Sequence, residues 1–188
     1  MPKKPVILNR MIVARSRLFT VEAMEIRFSN GQQRDYERLK RSNSGGAVLI
    51  VPMLDDDTVL LVKEYSAGVH RYEIGLPKGK VDSGETALEA ANRELKEEVG
   101  FGANKLHYLT TLSHAPAYLQ HTIDVVIAQD LYAEKLLGDE PEELEVIPWK
   151  LDNIQTLLAS GECTEARSIA ALYMSYDYLR SLKEQAAP

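Results

Sequence analysis

The sequence is poor in cysteine and in long apolar runs. Cys163 is the only cysteine among the 188 residues, which excludes an intramolecular disulfide and a cysteine-rich metal site. The apolar stretches near the N-terminus are short and are interrupted by Asn9, Arg10 and Arg15. Stretches of this kind match neither a signal peptide nor a membrane-spanning helix. We therefore expect a cytoplasmic protein that does not insert into membranes.

The sequence also lacks an excess of basic residues over acidic ones. The chain has 28 acidic and 22 basic residues, which gives a net charge of −6. This balance argues against a protein that binds nucleic acid by covering phosphates with lysine and arginine. An acidic protein can still bind a phosphorylated small molecule if a metal ion supplies the positive charge.

The N-terminal part of the chain has the pattern of a small β-structure. Short strands around a tight Asn30-Gly31 turn are expected at residues 19–22, 25–28 and 33–39. A polar linker at residues 40–46 follows. We therefore divide the chain into a β-hairpin extension, residues 1–44, and a main domain, residues 45–188.

The main domain alternates strands with helices, so the class is α/β. Strands are expected at 47–51, 59–63, 106–112 and 123–129, a glycine-rich loop at 75–84, helices at 86–99, 152–160 and 165–183, and an acidic loop at 134–145. Three adjacent aspartates, residues 55–57, invite a metal-site interpretation. Neighbouring residues on a turn point in different directions, and we interpret these three as a solvated hairpin tip.

The helix at residues 86–99 carries three glutamates near its end. At roughly 100° per residue, Glu94 and Glu98 lie one turn apart at the rim of the apolar face, whereas Glu97 points further from the core beside Arg93. Carboxylates this close repel one another, and a bound cation removes the repulsion. Mg²⁺ suits such a site because it prefers oxygen ligands and keeps waters that a phosphate can displace. The three glutamates alone fit a solvated helix face equally well.

The residues around these glutamates resemble the signature of the Nudix hydrolases. That signature reads Gly, five residues, Glu, seven residues, then Arg-Glu-aliphatic-x-Glu-Glu-x-Gly-aliphatic. Its fixed positions are filled here by Gly79, Glu85, Arg93, Glu94, Glu97, Glu98 and Gly100. Seven fixed positions match by chance in roughly one window per 10⁸–10⁹. Phe101 departs from the final aliphatic residue but remains apolar.

The resemblance extends to the ADP-ribose pyrophosphatase-like subfamily, and within it to bacterial hydrolases of ADP compounds. It is carried by residues 14–22, 36–38, 72–73, 90–92, 102–104 and 128–132 and by the paired C-terminal helices. It implies an α/β/α sandwich around a mixed β-sheet, with an N-terminal antiparallel strand pair that helps to form a homodimer. It also implies hydrolysis of ADP-ribose, NADH and diadenosine polyphosphates to AMP and a second phosphorylated product.

The resemblance also implies a set of metal ligands. Glu94 and Glu98 would be principal ligands for one to three Mg²⁺ (or Mn²⁺) ions, Glu97 a ligand or a water-positioning group, and the backbone carbonyl of Lys78 a further ligand. Arg93 and Glu85 would hold the carboxylates in place.

A general base in the related enzymes comes from an acidic stretch after the last core strands. Glu142 is the first choice here and Glu140 the second. Plain solvation of this loop is the alternative.

Substrate contacts are expected from residues that flank the signature or match the subfamily: Tyr36, Arg38, Lys63, Lys78, Lys80 and Tyr118. The three lysines could equally be exposed surface residues that only keep the protein soluble. Pro116 and Tyr118 match markers of ADP-ribose-cleaving and dinucleoside-polyphosphate-cleaving relatives. Ser66 stands where typical ADP-ribose pyrophosphatases have an arginine, which argues against strict ADP-ribose specificity.

Two other functions remain open for this chain. A Nudix domain can be a nucleotide-binding sensor without catalysis, although such domains usually lose one of the glutamates. A nucleotide-sugar or nucleoside-triphosphate pyrophosphatase presents the same phosphoanhydride to the metal, so composition does not separate it from an ADP-compound hydrolase.

Overall fold

A computed structural model describes residues 3–40 and 45–186 of the chain. The predicted linker at residues 40–46 includes 41–44, which lie outside the described residues. The chain forms two compact units: one contains residues 1–44 with 113–122, and the other contains residues 45–112 with 123–188. Within the described ranges, no helix is both long and apolar enough to cross a membrane.

The first unit is built on a three-stranded antiparallel sheet. Its strands are β1 (Val6–Arg15), β2 (Thr20–Arg27) and β3 (Gln33–Leu39), in the order β1-β2-β3. The two short strands expected at 19–22 and 25–28 are one continuous strand, and β1 adds a third strand to the expected pair. Segment 113–122 joins this unit through the Leu39 amide, which donates to the Tyr118 carbonyl at 2.8 Å.

The second unit contains the other strands and all the helices of the described chain. These are β4 (Ala47–Pro52), β5 (Thr58–Ser66), β6 (Arg71–Gly75), β7 (Lys78–Lys80), α1 (Ala87–Glu98), β8 (Phe101–Ser113), β9 (Thr122–Ala133), β10 (Glu145–Lys150), α2 (Ile154–Ala159) and α3 (Ala166–Ala186). The strand orders are β7-β4-β9-β8 and β10-β5-β6. Since β4 is parallel to β9 and antiparallel to β7, the first of these sheets is mixed.

The alternation of side chains along β4 creates two apolar layers. Leu49 belongs to a cluster that includes Leu172 of α3, whereas Ile50 belongs to a cluster that includes Ala91 and Leu95 of α1. Because successive side chains of a strand point to opposite faces, α1 and α3 cover opposite sides of β4. This arrangement confirms the α/β/α sandwich around a mixed sheet.

Three strands of this unit were not predicted: β6, β7 and β10. The strands β6 and β7 are short and lie next to or within the glycine-rich stretch. The strand β10 contains Pro148 and lies at the edge of its sheet, where a missing amide donor is tolerated.

The lone cysteine is part of the interior. Cys163 lies between α2 and α3 and is 2% exposed. Burial raises the pKa of its thiol to about 11.

Candidate active site and metal centre

A cleft of about 570 Å³ lies beside the loop and helix that carry the signature residues. Its charged lining consists of seven carboxylates and three cationic side chains: Glu64, Asp82, Glu94, Glu97, Glu98, Asp139 and Glu140, with Lys78, Lys80 and Arg93. An excess of carboxylates in one cleft is unfavourable unless cations neutralise it. The cleft is therefore suited to a divalent cation and to the phosphates that such a cation binds.

Helix α1 presents its glutamates to this cleft at a defined position because both of its ends are fixed. Thr86 and Glu89 form a reciprocal capping box at the N-terminus. Gly100 follows the helix with a φ of 82°, a conformation that glycine adopts without strain.

Arg93 is the centre of the ionic network in the cleft. Its guanidinium donates to both carboxylate oxygens of Glu85, at 2.8 and 2.9 Å, and to Glu94 at 2.8 Å and Glu97 at 3.1 Å. It also donates to the backbone carbonyl of Lys80 at 2.8 Å. These bonds raise the pKa of Arg93 and lower that of Glu85. Arg93 therefore joins the loop that carries Glu85 to the helix that carries Glu94 and Glu97.

Glu94 and Glu98 are the most deeply buried carboxylates of the helix, at 8% and 5% exposure. Burial raises the pKa of Glu98 to about 8, although the charge and the backbone amide of Lys78 oppose the shift. Burial also raises the pKa of Glu94, against the opposing effect of Arg93. Two buried carboxylates that resist ionisation are the groups that a cation would stabilise most.

Gly79 makes room for one of these carboxylates. A Cβ atom at this position would overlap the carboxyl group of Glu94. The glycine at the start of the signature is therefore a packing requirement of the glutamate side chain, and positive φ plays no part in it.

The donor set of the cleft fits a hard divalent cation, because it offers carboxylate oxygens rather than imidazole or thiolate groups. Among the residues described, no three potential ligands lie close enough to form a ready-made metal site. The three glutamates of the helix are engaged in other contacts. Arg93 donates hydrogen bonds to Glu94 and Glu97, and Glu98 accepts a hydrogen bond from the Lys78 backbone amide at 3.3 Å. A bound cation would have to compete with these contacts.

The acidic loop between β9 and β10 contributes one glutamate to the cleft. Glu140 lines the cleft, and its charge raises the pKa of Glu94. Glu142, the first choice from the sequence, does not line it. Its carboxylate accepts a hydrogen bond from the Tyr72 hydroxyl at 2.7 Å.

The remaining predicted substrate residues are divided between the two units. Lys78 and Lys80 line the cleft, whereas Lys63 forms an ion pair with Glu162 at 2.9 Å and lies outside it. The other three belong to the N-terminal unit: Arg38, which donates to Glu22 at 2.6 and 2.9 Å, Tyr36, whose ring is tilted against Phe28, and Tyr118, which is exposed.

Glu64 is a cleft residue that the sequence analysis missed. Its carboxylate accepts a hydrogen bond from the Lys78 ammonium group at 2.5 Å. The available signal was weak: two half-buried charged residues, Lys63 and Glu64, follow the buried run of β5.

Comparison with known proteins agrees with this geometry. A NUDIX domain model matches residues 44–171, and a model of the NudE-type Nudix hydrolase N-terminal domain matches residues 5–38. The chain is 51% identical to the ADP compounds hydrolase NudE of Escherichia coli over 95% of each sequence. The chain belongs to the Nudix hydrolase family. This confirms the family, its enzymatic class and the resemblance to ADP-compound hydrolases.

Two further relatives support the assignment. A crystal structure of an ADP compounds hydrolase superimposes with a TM-score of 0.89 at 50% identity and covers 96% of each chain. The ADP-ribose pyrophosphatase of Bacillus subtilis is 27% identical to this chain, in an alignment that covers 88% of this chain and 91% of the pyrophosphatase. Nudix hydrolases are in general dependent on divalent metal ions, in agreement with the carboxylate-rich cleft.

Proposed function

We propose that this Nudix hydrolase cleaves the diphosphate bond of ADP-linked compounds, among them ADP-ribose, NADH and diadenosine polyphosphates. The products are AMP and a second phosphorylated compound. The observation that carries the proposal is the 51% identity to NudE along almost the whole chain. The carboxylate-rich cleft around Arg93, Glu94 and Glu98 supports it.

The proposed reaction is attack of water on a phosphorus atom of the diphosphate. One to three Mg²⁺ (or Mn²⁺) ions, when bound, would neutralise phosphate oxygens and lower the pKa of the attacking water. Glu94, Glu98, Glu97 and the Lys78 carbonyl are the groups that would hold them. Arg93 and Glu85 keep these carboxylates oriented. Lys78 and Lys80 line the cleft and would supply positive charge to the substrate phosphates, with the Lys78 ammonium group held beside the cleft by Glu64.

A direct test is product analysis by chromatography. Incubation with Mg²⁺ and ADP-ribose, NADH or diadenosine triphosphate should release AMP, and EDTA should abolish the release. GDP-mannose and dGTP serve as controls for the two competing substrate classes. Faster turnover of GDP-mannose or dGTP would point to another pyrophosphatase class. Tight binding of these compounds without turnover of any of them would favour a nucleotide-binding sensor without catalytic activity.

Glu140 is the general base in this proposal, ahead of Glu142, because it already lines the cleft. Glu140→Gln should lower kcat by about 10²–10³-fold with little change in Mg²⁺ affinity, since general bases contribute about that much. Glu142→Gln is the matched control on the same loop and should change kcat far less. If steady-state kinetics showed a larger loss of kcat in Glu142→Gln than in Glu140→Gln, Glu142 would be the base.

The proposal includes a homodimer formed with the N-terminal extension, residues 1–44. Met11, Ile12 and Val13 are consecutive on β1 and all exposed, so apolar side chains are uncovered on both faces of the strand. A second copy of the chain would cover them. Sedimentation equilibrium tests this, and a monomer at micromolar concentration would contradict it.

A cytoplasmic location is also part of the proposal. Recovery of the protein in another fraction after cell lysis would contradict it.

A further inference from the structure

One lysine joins two carboxylates of the metal cleft. The backbone amide of Lys78 donates to Glu98 at 3.3 Å, and its ammonium group forms an ion pair with Glu64 at 2.5 Å. Lys78 lies on β7 and Glu64 on β5, in two different sheets. All three residues line the same cleft.

The ammonium group of Lys78 could pair with a different carboxylate if Glu64 were absent. The Glu98 carboxylate lies close to the main chain of Lys78, so it is within the radius of a flexible four-carbon side chain. Glu98 is buried and has no described ion-pair partner, whereas Glu94 and Glu97 are already bound to Arg93. Glu98 is therefore the carboxylate that a released ammonium group would neutralise.

Glu64 gains no favourable pairing from the residue opposite it on β6. Its cross-strand partner is another acid, Glu73, and like charges in such pairs repel. Glu73 is satisfied by Arg71 and by the backbone amide of Thr164 at 2.9 Å. Glu64 forms an ion pair with Lys78 at 2.5 Å. Arg167 is a second cation near Glu64: burial lowers the pKa of Arg167, and the charge of Glu64 opposes that shift.

We infer that Glu64 is a positioning residue that holds the Lys78 ammonium group at the wall of the cleft and so keeps Glu98 open to the divalent cation. The inference rests on the proposed function only in that Glu98 is a metal ligand. It assigns to Glu64 no contact with the metal or with the substrate. The ion pair keeps the ammonium group beside the cleft for the diphosphate and out of direct contact with the Glu98 carboxylate.

The test is Mn²⁺ binding, measured by electron paramagnetic resonance of the full chain without substrate. Glu64→Gln should weaken Mn²⁺ binding by about tenfold, within the usual range of coupling between two sites. Adding Lys78→Met should restore binding to within about threefold of the wild type, because the competing ammonium group is gone. Lys78→Met alone should bind Mn²⁺ at least as tightly as the wild type.

The matched control is Lys80→Met, which removes another lysine from the same cleft. Combined with Glu64→Gln it should leave binding at least about fivefold weaker than in the wild type, because the Lys78 ammonium group is still present. Equal rescue by both lysine variants would show that only net charge matters and would overturn the inference. Rescue by neither would make Glu64 a ligand and would also overturn it.

The remaining outcomes are equally decisive. Unchanged Mn²⁺ binding by Glu64→Gln would overturn the inference and leave the metal assignment intact. Absence of Mn²⁺ binding by the wild type would overturn both. Glu64 and Lys78 are partly exposed, so folding should be retained, and thermal melts followed by circular dichroism check this.

Discussion

Glu98→Gln should lower kcat by roughly 10³-fold, the scale expected when a preorganised group that stabilises phosphoryl charge is lost. Glu98 lies one turn from Glu94, is almost fully buried, and has no cationic side chain bound to it in the described structure. Glutamine has nearly the same shape but cannot neutralise a cation. Steady-state kinetics over a range of Mg²⁺ concentrations measure the effect. Near-normal turnover at saturating Mg²⁺ would refute the role of Glu98 as a ligand.

The Glu98→Gln variant should also fold normally. The pH dependence of the stability of the wild-type protein gives the reason. In the metal-free protein, folded Glu98 keeps its proton up to about pH 8, whereas the unfolded chain releases it near the ordinary pKa of 4.5. The stability contributed by this group therefore falls as the pH rises from 4.5 to about 8. Glutamine does not titrate, so the metal-free variant should melt at or above the wild-type temperature at pH 8. Mg²⁺ should raise the melting temperature of the wild type by more than that of the variant, which keeps the other proposed ligands but lacks one carboxylate.

Gly79→Ala should reduce Mn²⁺ affinity by about 10–100-fold, as expected when a metal ligand loses its orientation. The added Cβ atom would overlap the carboxyl group of Glu94, so either the side chain or strand β7 must move. Overpacking of this kind costs about 1–3 kcal/mol of stability. Isothermal titration with Mn²⁺ and thermal melts measure the two effects separately.

Gly68→Ala is the matched control for this substitution. A Cβ atom at Gly68 meets no atom within 4 Å, and its φ is not positive. This variant should keep both Mn²⁺ affinity and melting temperature. If Gly79→Ala also kept the wild-type Mn²⁺ affinity and melting temperature, the packing of Glu94 against Gly79 would have no part in metal binding.

The part of the site that lies within one helix could be predicted from the sequence. The place of Glu94 and Glu98 at the rim of the apolar face and the contact between Arg93 and Glu97 follow from residue spacing on an α-helix, whereas the depth of burial of the two glutamates comes from the structure. The sandwich around β4 also followed, because the resemblance to Nudix hydrolases fixes the order of strands and helices.

The part that depends on contacts between separate elements could not be predicted. The pairing of Glu64 with Lys78 requires that the ends of two sheets meet, and no periodicity encodes this. The contrast between Glu140 and Glu142 depends on the path of an irregular loop. Strand β1 was missed because its polar and apolar residues do not alternate, and its conformation comes from pairing with β2.

The burial of Cys163 makes this enzyme a natural host for site-specific labelling. The native thiol is enclosed and its pKa is raised to about 11, so maleimide reagents should leave it unmodified at neutral pH. Leu137 is 96% exposed on the loop that borders the metal cleft. A single Leu137→Cys substitution would therefore carry one fluorophore or spin label at the mouth of the cleft, without prior removal of the native cysteine. The signal of such a label would report directly on the surroundings of the acidic loop with and without substrate.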